Sequence, residues 1–481
     1  MTAALSDWLP AVGSWLMTVA VPGLATAIIA SGLLQNAIYL LQLLLAWRAL
    51  SRQRVDHSGM GLWWQFSDVT MPIAILAPAY NEEATIVDSL HSMLALRYPQ
   101  FEVIVINDGS RDGTMAALIE GFQLHPVERV YQSLAPHKPI RRLYGSELYP
   151  NLLVIDKENG GKADALNAGM VVARSPLVCA VDADSLLESD SLLRCVEPFI
   201  EDPERTVAVG GSIRIVNGCT VRAGQVVTVD VPRNLVALFQ TVEYLRAFLM
   251  GRLAWSEMQA LTLISGAFGI FRRDIALAVG GYSTDTVGED AEIIVKIHRL
   301  MRERKRDYRV LFALAPVCWT EAPESLKILR RQRVRWQRGA LETFFRHRRM
   351  LFNPRYGRIG LLGFGHMLIS DVLGPVFEDF GYVLMPLFWY FDMIDTGYLM
   401  AFTALVFVFG IFLSVSALVL EELKLARFPS ARSLLILAGV AVLENFGYRQ
   451  LNNLWRIEGW WRYLSGTKGS WGTMTRVGFR K

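Results

Sequence analysis

The chain is apolar at both ends and polar in the middle, and this division limits what it can fold into more than any single motif. From Trp8 to Trp47 the sequence is one apolar stretch. A single helix of that length, rising ~1.5 Å per residue, would cross a ~30 Å hydrocarbon core about twice over. The expected division is an interfacial or first segment before Pro22 and a spanning helix over about Leu24–Leu45. A cleavable signal peptide is not expected, because there is no basic n-region and the stretch is several times too long for an h-region. Arg48, Arg52 and Arg54 follow directly and place that end in the cytosol by the positive-inside bias.

The apolar character returns near the C-terminus. Ile359–Phe391 is one long run interrupted by Asp371, Glu378 and Asp379, and Tyr398–Leu420 is a clean span. Leu434–Leu443 is too short to cross and reads as re-entrant or interfacial. The segment Phe391–Tyr398 is acidic, whereas Lys424, Arg427 and Arg432 follow the second span, so that span should run from outside to inside. Acids inside a membrane run should face a hydrated path or buried partners. The 52% hydrophobic share of the 481 residues is therefore concentrated at the ends. The expected organisation is a membrane segment over 1–52, a cytosolic domain over 70–323, basic interface helices over 324–358, a transmembrane bundle over 359–448 and a cytosolic tail over 449–481. Gln53–Val69 and the residues around Pro323 are the expected boundaries.

The middle alternates strand and helix. Ile73–Ala77, ended by Pro78, reads as a strand, and Glu82–Leu96 as a helix with Ile86, Leu90 and Leu94 on one face. Glu102–Ile106, a helix from Asp112, Leu152–Ile155, the helix Lys162–Val172 and the strand Leu177–Val181 continue the pattern. Alternation of this kind predicts a mostly parallel α/β sheet with ligands at the carboxyl ends of its strands. Those ends carry Asn81-Glu82-Glu83, Asp108-Gly109-Ser110 and Asp182-Ala183-Asp184. Hard oxygen ligands such as Asp182 and Asp184 suit Mg2+ or Mn2+ bridging a diphosphate, although Asp184 or Ser185 also suits a helix cap.

Other chemistries lack their residues. Gly160-Gly161-Lys162 has no first glycine at Walker spacing and Ala163 where Ser or Thr belongs. No G-x-G-x-x-G opens a helix after a strand, and neither HExxH nor G-x-S-x-G occurs. The four cysteines, Cys179, Cys195, Cys219 and Cys318, show no CxxC spacing. They read as free thiols in a reducing compartment.

The ordered set Ala77-Pro78-Ala79-Tyr80-Asn81-Glu82, Asn107-Asp108-Gly109-Ser110, Gly161-Lys162-Ala163-Asp164, Asp182-Ala183-Asp184, Gly288-Glu289-Asp290 and Gln332-Arg333-Val334-Arg335-Trp336 resembles family-2 glycosyltransferases. Within that family it is similar to the processive synthases of cellulose, hyaluronan, chitin oligomers and poly-N-acetylglucosamine. The resemblance covers roughly Ile73–Gly339 and implies an α/β GT-A nucleotide-sugar fold joined to an α-helical transmembrane bundle through amphipathic interface helices. It implies that Tyr80, Glu82 and Asp108 hold the uridine of a UDP-sugar, that Lys162 and Asp164 sit beside the nucleotide, and that Asp182 lies near ribose and diphosphate. Asp184 is implied as the ligand of Mg2+ or Mn2+. Gln332 and Arg335 are expected on the donor side, and Trp336 as the floor of the acceptor site. Ile264–Gly269 resembles the acceptor-side strand, with Gly266 and Ala267 against the sugar. Ser470-Trp471-Gly472-Thr473 resembles a loop of hyaluronan synthases that closes over nucleotide, which would bring in Trp471 and Thr473. The family's Thr-Glu-Asp stands here as Gly288-Glu289-Asp290, departing at the threonine and keeping the implied base, Asp290, beside Glu289.

The chemistry requires such parts. An attacking hydroxyl must lose a proton to a carboxylate within ~2.6–3.2 Å, and the leaving UDP gathers charge that a metal or Arg335 can offset. One base and direct displacement invert the anomeric centre. Gln332–Trp336 lies in a basic stretch, Arg330–Arg349, with Trp336, Ala340, Leu341, Phe344 and Phe345 on one helical face and arginines on the other. That pattern predicts an interfacial helix rather than a nucleic-acid patch. The expected function is processive polymerisation of UDP-glucose or UDP-N-acetylglucosamine into a β-linked polysaccharide passed across a bacterial inner membrane, with accessory secretion subunits as possible partners. The alternatives are sugar transfer to a lipid such as a ceramide or polyprenyl phosphate, and a transporter or receptor with an inactive GT-A domain.

Overall fold

The computed structural model of the chain describes residues 16–52, 59–183, 185–222, 224–424 and 430–466. In chain order the strands are β1 (Ile73–Ala79), β2 (Phe101–Asn107), β3 (Leu124–Val127), β4 (Ile140–Ser146), β5 (Leu152–Lys157), β6 (Leu177–Val181), β7 (Leu186–Leu187), β8 (Thr206–Ile215), β9 (Thr220–Arg222), β10 (Gln225–Thr228), β11 (Phe268–Arg272) and β12 (Arg309–Thr320). Ten of them form one sheet in the order β3-β4-β5-β2-β1-β6-β11-β8-β12-β7, and β9 pairs with β10 apart from it. The central strands β5, β2, β1 and β6 are parallel. Their near-continuous apolar runs are what burial on both faces demands. The flanks correct the mostly parallel expectation: β11 runs antiparallel to both neighbours, as do β4 to β5 and β3 to β4.

Local differences from the expected elements have physical reasons. β1 continues through Pro78, because its pairing with β6 stops at Leu76 and the missing N–H costs no bond on that side. The helix after β1 starts at Ile86 rather than Glu82. Asn81 adopts a left-handed φ of 56°, and the N–H groups of Glu82 and Glu83 donate to Thr114 Oγ1 and Asp112 Oδ2 instead of opening a helix. Asp112 likewise accepts from the Thr114 N–H at 3.1 Å, so the next helix begins at Thr114.

The helices that bear on the site are, in chain order, α1 (Val21–Arg52), α2 (Lys162–Val172), α3 (Leu235–Leu245), α4 (Glu289–Glu303), α5 (Leu326–Arg346), α6 (Gly374–Tyr390) and α7 (Tyr448–Leu464). Among the described residues three helices are long and apolar enough to cross a bilayer: Thr18–Arg52, Ile359–Tyr390 and Thr396–Leu423. Ala431–Leu443 and α7 form a pair bent by 57°. This is the pattern of a multi-pass membrane protein. α1 runs on through Pro22, which a first helical turn tolerates. The expected linker before the sheet contains a helix, Gly59–Phe66.

α5 departs from a simple surface helix. It packs between α4 and α7, and Leu329, Val334, Leu341 and Phe344 are buried. Arg333, expected on the outward arginine face, is buried too, because its guanidinium meets both oxygens of Glu243 on α3 at 2.7 and 2.9 Å. Phe345 stacks on Tyr463 of α7. The basic tail after Arg449 is thus a packed helix as far as Leu464. A buried ion pair between Arg214 of β8 and Glu421 joins the sheet to the Thr396–Leu423 helix.

Candidate active site

The carboxyl ends of β1, β2, β5 and β6 open on one side of the sheet, and the motif residues gather there. Asp108 follows β2 and is buried. Its Oδ1 accepts from Lys157 Nζ at 2.6 Å and the Gly160 N–H at 3.0 Å, and its Oδ2 from Asn159 at 3.1 Å and the Gly161 N–H at 2.7 Å. A carboxylate has about four acceptor positions, and all are used. Asp108 therefore shapes the 157–161 turn that leads into α2. Gly161, with φ of 89°, supplies the left-handed turn that launches this helix.

Lys157 was not singled out by sequence reasoning. Its side chain is fully buried and bridges Asp108 and Asp164, each at 2.6 Å. Asp164 also accepts from the Lys138 N–H at 3.1 and 2.9 Å. It is buried and does not line the cavity. The signal that points to Lys157 is the one used for the acids: a charged residue at the carboxyl end of an apolar strand.

Lys162 opens α2 and reaches across to β6. Its ammonium donates to Asp182 Oδ1 and, at 3.0 Å, to the Gly266 carbonyl. Burial opposes the charge, but Asp182 and then Glu289 outweigh it, and the Lys162 ammonium is held above its usual range. Gly266 admits this approach because a Cβ there would lie 3.1 Å from the ammonium and 3.3 Å from Asp290. The Gly266 N–H donates to Asp290 Oδ2 at 3.2 Å, and Asp290 Oδ1 accepts from the Ala291 N–H at 2.8 Å. These two bonds hold the Asp290 side chain at the first turn of α4. Arg335 faces the same pair. Its burial lowers its affinity for the proton, and Glu289, Asp290 and Asp182 partly restore it.

Glu289 differs from its neighbour. Burial, with Asp290 beside it, raises its carboxyl from 4.5 to about 7 against the opposing pull of Lys162. Between those values the folded protein keeps a proton that the unfolded chain has released. Stability contributed by this group therefore falls as pH rises from 4.5 to about 7, and is level outside that window. The expected outcome is that Glu289→Gln flattens this part of the stability–pH profile in thermal unfolding. An unchanged slope would contradict the assignment.

Tyr80, Glu82, Asp108, Lys162, Asp182, Gly266, Ala267, Glu289, Asp290, Gln332, Arg335 and Trp336 all line one cavity of about 1980 Å³. Trp336 is 42% exposed, with the Arg333 guanidinium 4.5 Å from its ring centre. Gln332 Oε1 is buried there with no hydrogen-bond partner among the described residues. The cavity continues past Trp336 to Gln35 of α1, Glu378 of α6, and Arg449 and Arg456 of α7. Glu378 pairs with Arg449 at 2.8 Å, and Asp371 with Arg456 at 3.3 Å. Asp371 and Glu378 thus combine the two expectations for intramembrane acids, being paired and in the cavity wall. Asp379 does not line it. Asp184, Trp471 and Thr473 lie outside the described residues.

Residues 74–277 match the model of glycosyl transferase family 2, and residues 177–415 that of glycosyl transferase family group 2. The chain carries a family-2 glycosyltransferase domain. The chain is 33% identical over 276 residues to the poly-beta-1,6-N-acetyl-D-glucosamine synthase of Staphylococcus aureus, covering 57% of this chain and 56% of the relative. The synthase of Staphylococcus epidermidis with the same name is 30% identical over 275 residues, with the same coverage. The chain therefore spans just over half the length of these curated relatives. A mannosyltransferase from Pyrobaculum calidifontis, solved with GDP-Man and Mn2+, shares the fold with a TM-score of 0.51 and 19% identity, over 91% of this chain and 99% of that one. The family-2 domain is thus a GT-A-like fold set on membrane-spanning helices.

Proposed function

We propose that this protein is an inverting hexosyltransferase that extends a β-linked polysaccharide from a UDP-sugar and feeds the growing chain into its own membrane bundle. The observation that carries this reading is the cavity that joins the motif residues to Glu378 and Arg449. A hydroxyl-rich polymer needs a polar passage of this kind, whereas transfer of one sugar to a lipid does not. The names of the staphylococcal relatives support N-acetylglucosamine as the sugar.

In this reading an acceptor hydroxyl rests over Trp336 and gives its proton to Asp290 as its oxygen attacks the anomeric carbon. The bond from that carbon to the diphosphate breaks with inversion, and UDP leaves with the electron pair. Lys162 and Arg335 offset the charge that develops on it. Protonated up to about 7, Glu289 leaves Asp290 as the proton acceptor.

The carboxylate of Asp182 suits a hard divalent ion. Asp182 Oδ1 accepts from Lys162, and the Asp182 side chain is one-third exposed and lines the cavity. Among the described residues no three His, Cys, Asp or Glu side chains gather to hold a metal by themselves. Mg2+ or Mn2+ would be held by Asp182 and Asp184 together with diphosphate oxygens, and when bound it supplies charge neutralisation to the leaving group. Asp184→Ala should weaken divalent-dependent UDP binding. Full UDP affinity in EDTA-treated protein would count against the metal.

The test of the reading is Glu378→Gln, which keeps the shape of the cavity wall and weakens the pair with Arg449. We expect shorter product from UDP-N-acetylglucosamine, with UDP binding retained. Full-length polymer from this variant would show that Glu378 does not meet the product.

A further inference from the structure

We propose that Gly339, Glu342 and Arg346 form a docking stripe on α5 that holds Arg335 against Glu289 and Asp290, with Glu342 as its positioning residue. This rests on Asp290 being the base. Positions 335, 339, 342 and 346 are spaced by four, three and four residues, so they share one helical face. Each of the last three meets a residue of the segment that leads into α4, in reverse order. Arg346 donates to both oxygens of Asp285 at 3.0 and 2.8 Å. Glu342 Oε2 accepts from Thr286 Oγ1 at 2.7 Å and from the Val287 N–H at 3.0 Å. Gly339 touches Gly288 directly, since a Cβ on either would lie 2.7 Å from the Cα of the other.

The three contacts differ in weight. Asp285 is 72% exposed, and an exposed ion pair fixes little. The Gly288–Gly339 contact lets the helices approach but does not set their register. Glu342 is only 13% exposed, and its Oε1 is held by Arg338 at 2.6 Å. Its charge-assisted bonds to a hydroxyl and a backbone N–H are directional, so Glu342 fixes how far α5 slides along α4. One helical turn before Gly339, Arg335 then falls where Glu289 and Asp290 face it.

The stripe also accounts for the sequence's departure from the family's threonine. A threonine Cβ at 288 would collide with Gly339. Two residues earlier, Thr286 Oγ1 accepts from the Gly288 N–H at 3.1 Å while donating to Glu342.

The test uses the purified full-length protein in detergent, with turnover of UDP-N-acetylglucosamine and UDP affinity measured side by side. Misplacement of a catalytic group by ~1 Å can cost ~10²-fold in rate. Measured at a temperature where the variant is folded, Glu342→Ala should therefore lower kcat by roughly 10- to 100-fold, a larger loss than its loss of UDP affinity. Glu342→Gln, which keeps a side-chain carbonyl for Thr286 and Val287, should recover most of kcat. Wild-type kcat in Glu342→Ala would overturn the proposal, as would a Glu342→Gln variant that is folded and binds UDP but recovers none of kcat. Asp290→Asn run in parallel separates the two assignments. An inert Asp290→Asn beside a fully active Glu342→Ala rejects the stripe alone, and an active Asp290→Asn removes the base on which it rests.

Discussion

Asp290→Asn is expected to lower turnover by ~10²-fold or more while UDP still binds. The asparagine keeps the size of the side chain and an oxygen for the Gly266 or Ala291 N–H, so the first turn of α4 should hold its shape. What it loses is the ability to take a proton from the acceptor hydroxyl. Glu289 is a poor substitute, because burial keeps its carboxyl protonated up to about 7 and it points into a tighter environment, 5% exposed. Turnover and UDP affinity measured on the same preparation decide the matter. Near-normal turnover would remove Asp290 as the base, and parallel loss of UDP binding would make it a structural residue.

Lys157→Met is expected to destabilise the domain strongly. Lys157 is fully buried between two carboxylates, and methionine fills its volume without its charge. Removing one partner from a buried ionic group costs ~3–5 kcal/mol, because the remaining charges stay buried and unpaired. For a domain of this size that corresponds to a fall in thermal midpoint of roughly 10 °C. The 157–161 turn that Asp108 organises should loosen as well, so UDP affinity should fall with stability. A midpoint within a degree or two of wild type would show that the Asp108–Lys157–Asp164 cluster is not what holds the turn.

The contrast between these two residues shows what a sequence discloses. Asp290 stands in a short motif whose order along the chain is itself informative, and it lies in the cavity with eleven other residues read from motifs. The strand Leu177–Val181 and the helix Lys162–Val172 were legible to the residue, because unbroken apolar runs and a glycine turn mark their ends. Lys157 ends an apolar strand but stands in no motif, and its worth depends on Asp108 and Asp164 closing around it in space. Arg333 read as one of several outward arginines until Glu243, ninety residues earlier, drew it inward. The antiparallel insertion of β11 between β6 and β8 is equally non-local. Nothing in five residues of strand tells which neighbours they will take. Glu342 was hidden for the opposite reason, as one acid in a strongly basic helix whose partners lie in a loop more than fifty residues away.

Extension of a polysaccharide into the bundle is tested most directly by reconstituting the purified protein in liposomes and supplying UDP-N-acetylglucosamine from outside. The expected product is a β-linked polymer of many sugars that resists an added glycosidase until detergent opens the liposomes. A single sugar attached to lipid, or a polymer fully open to the glycosidase before detergent, would contradict it.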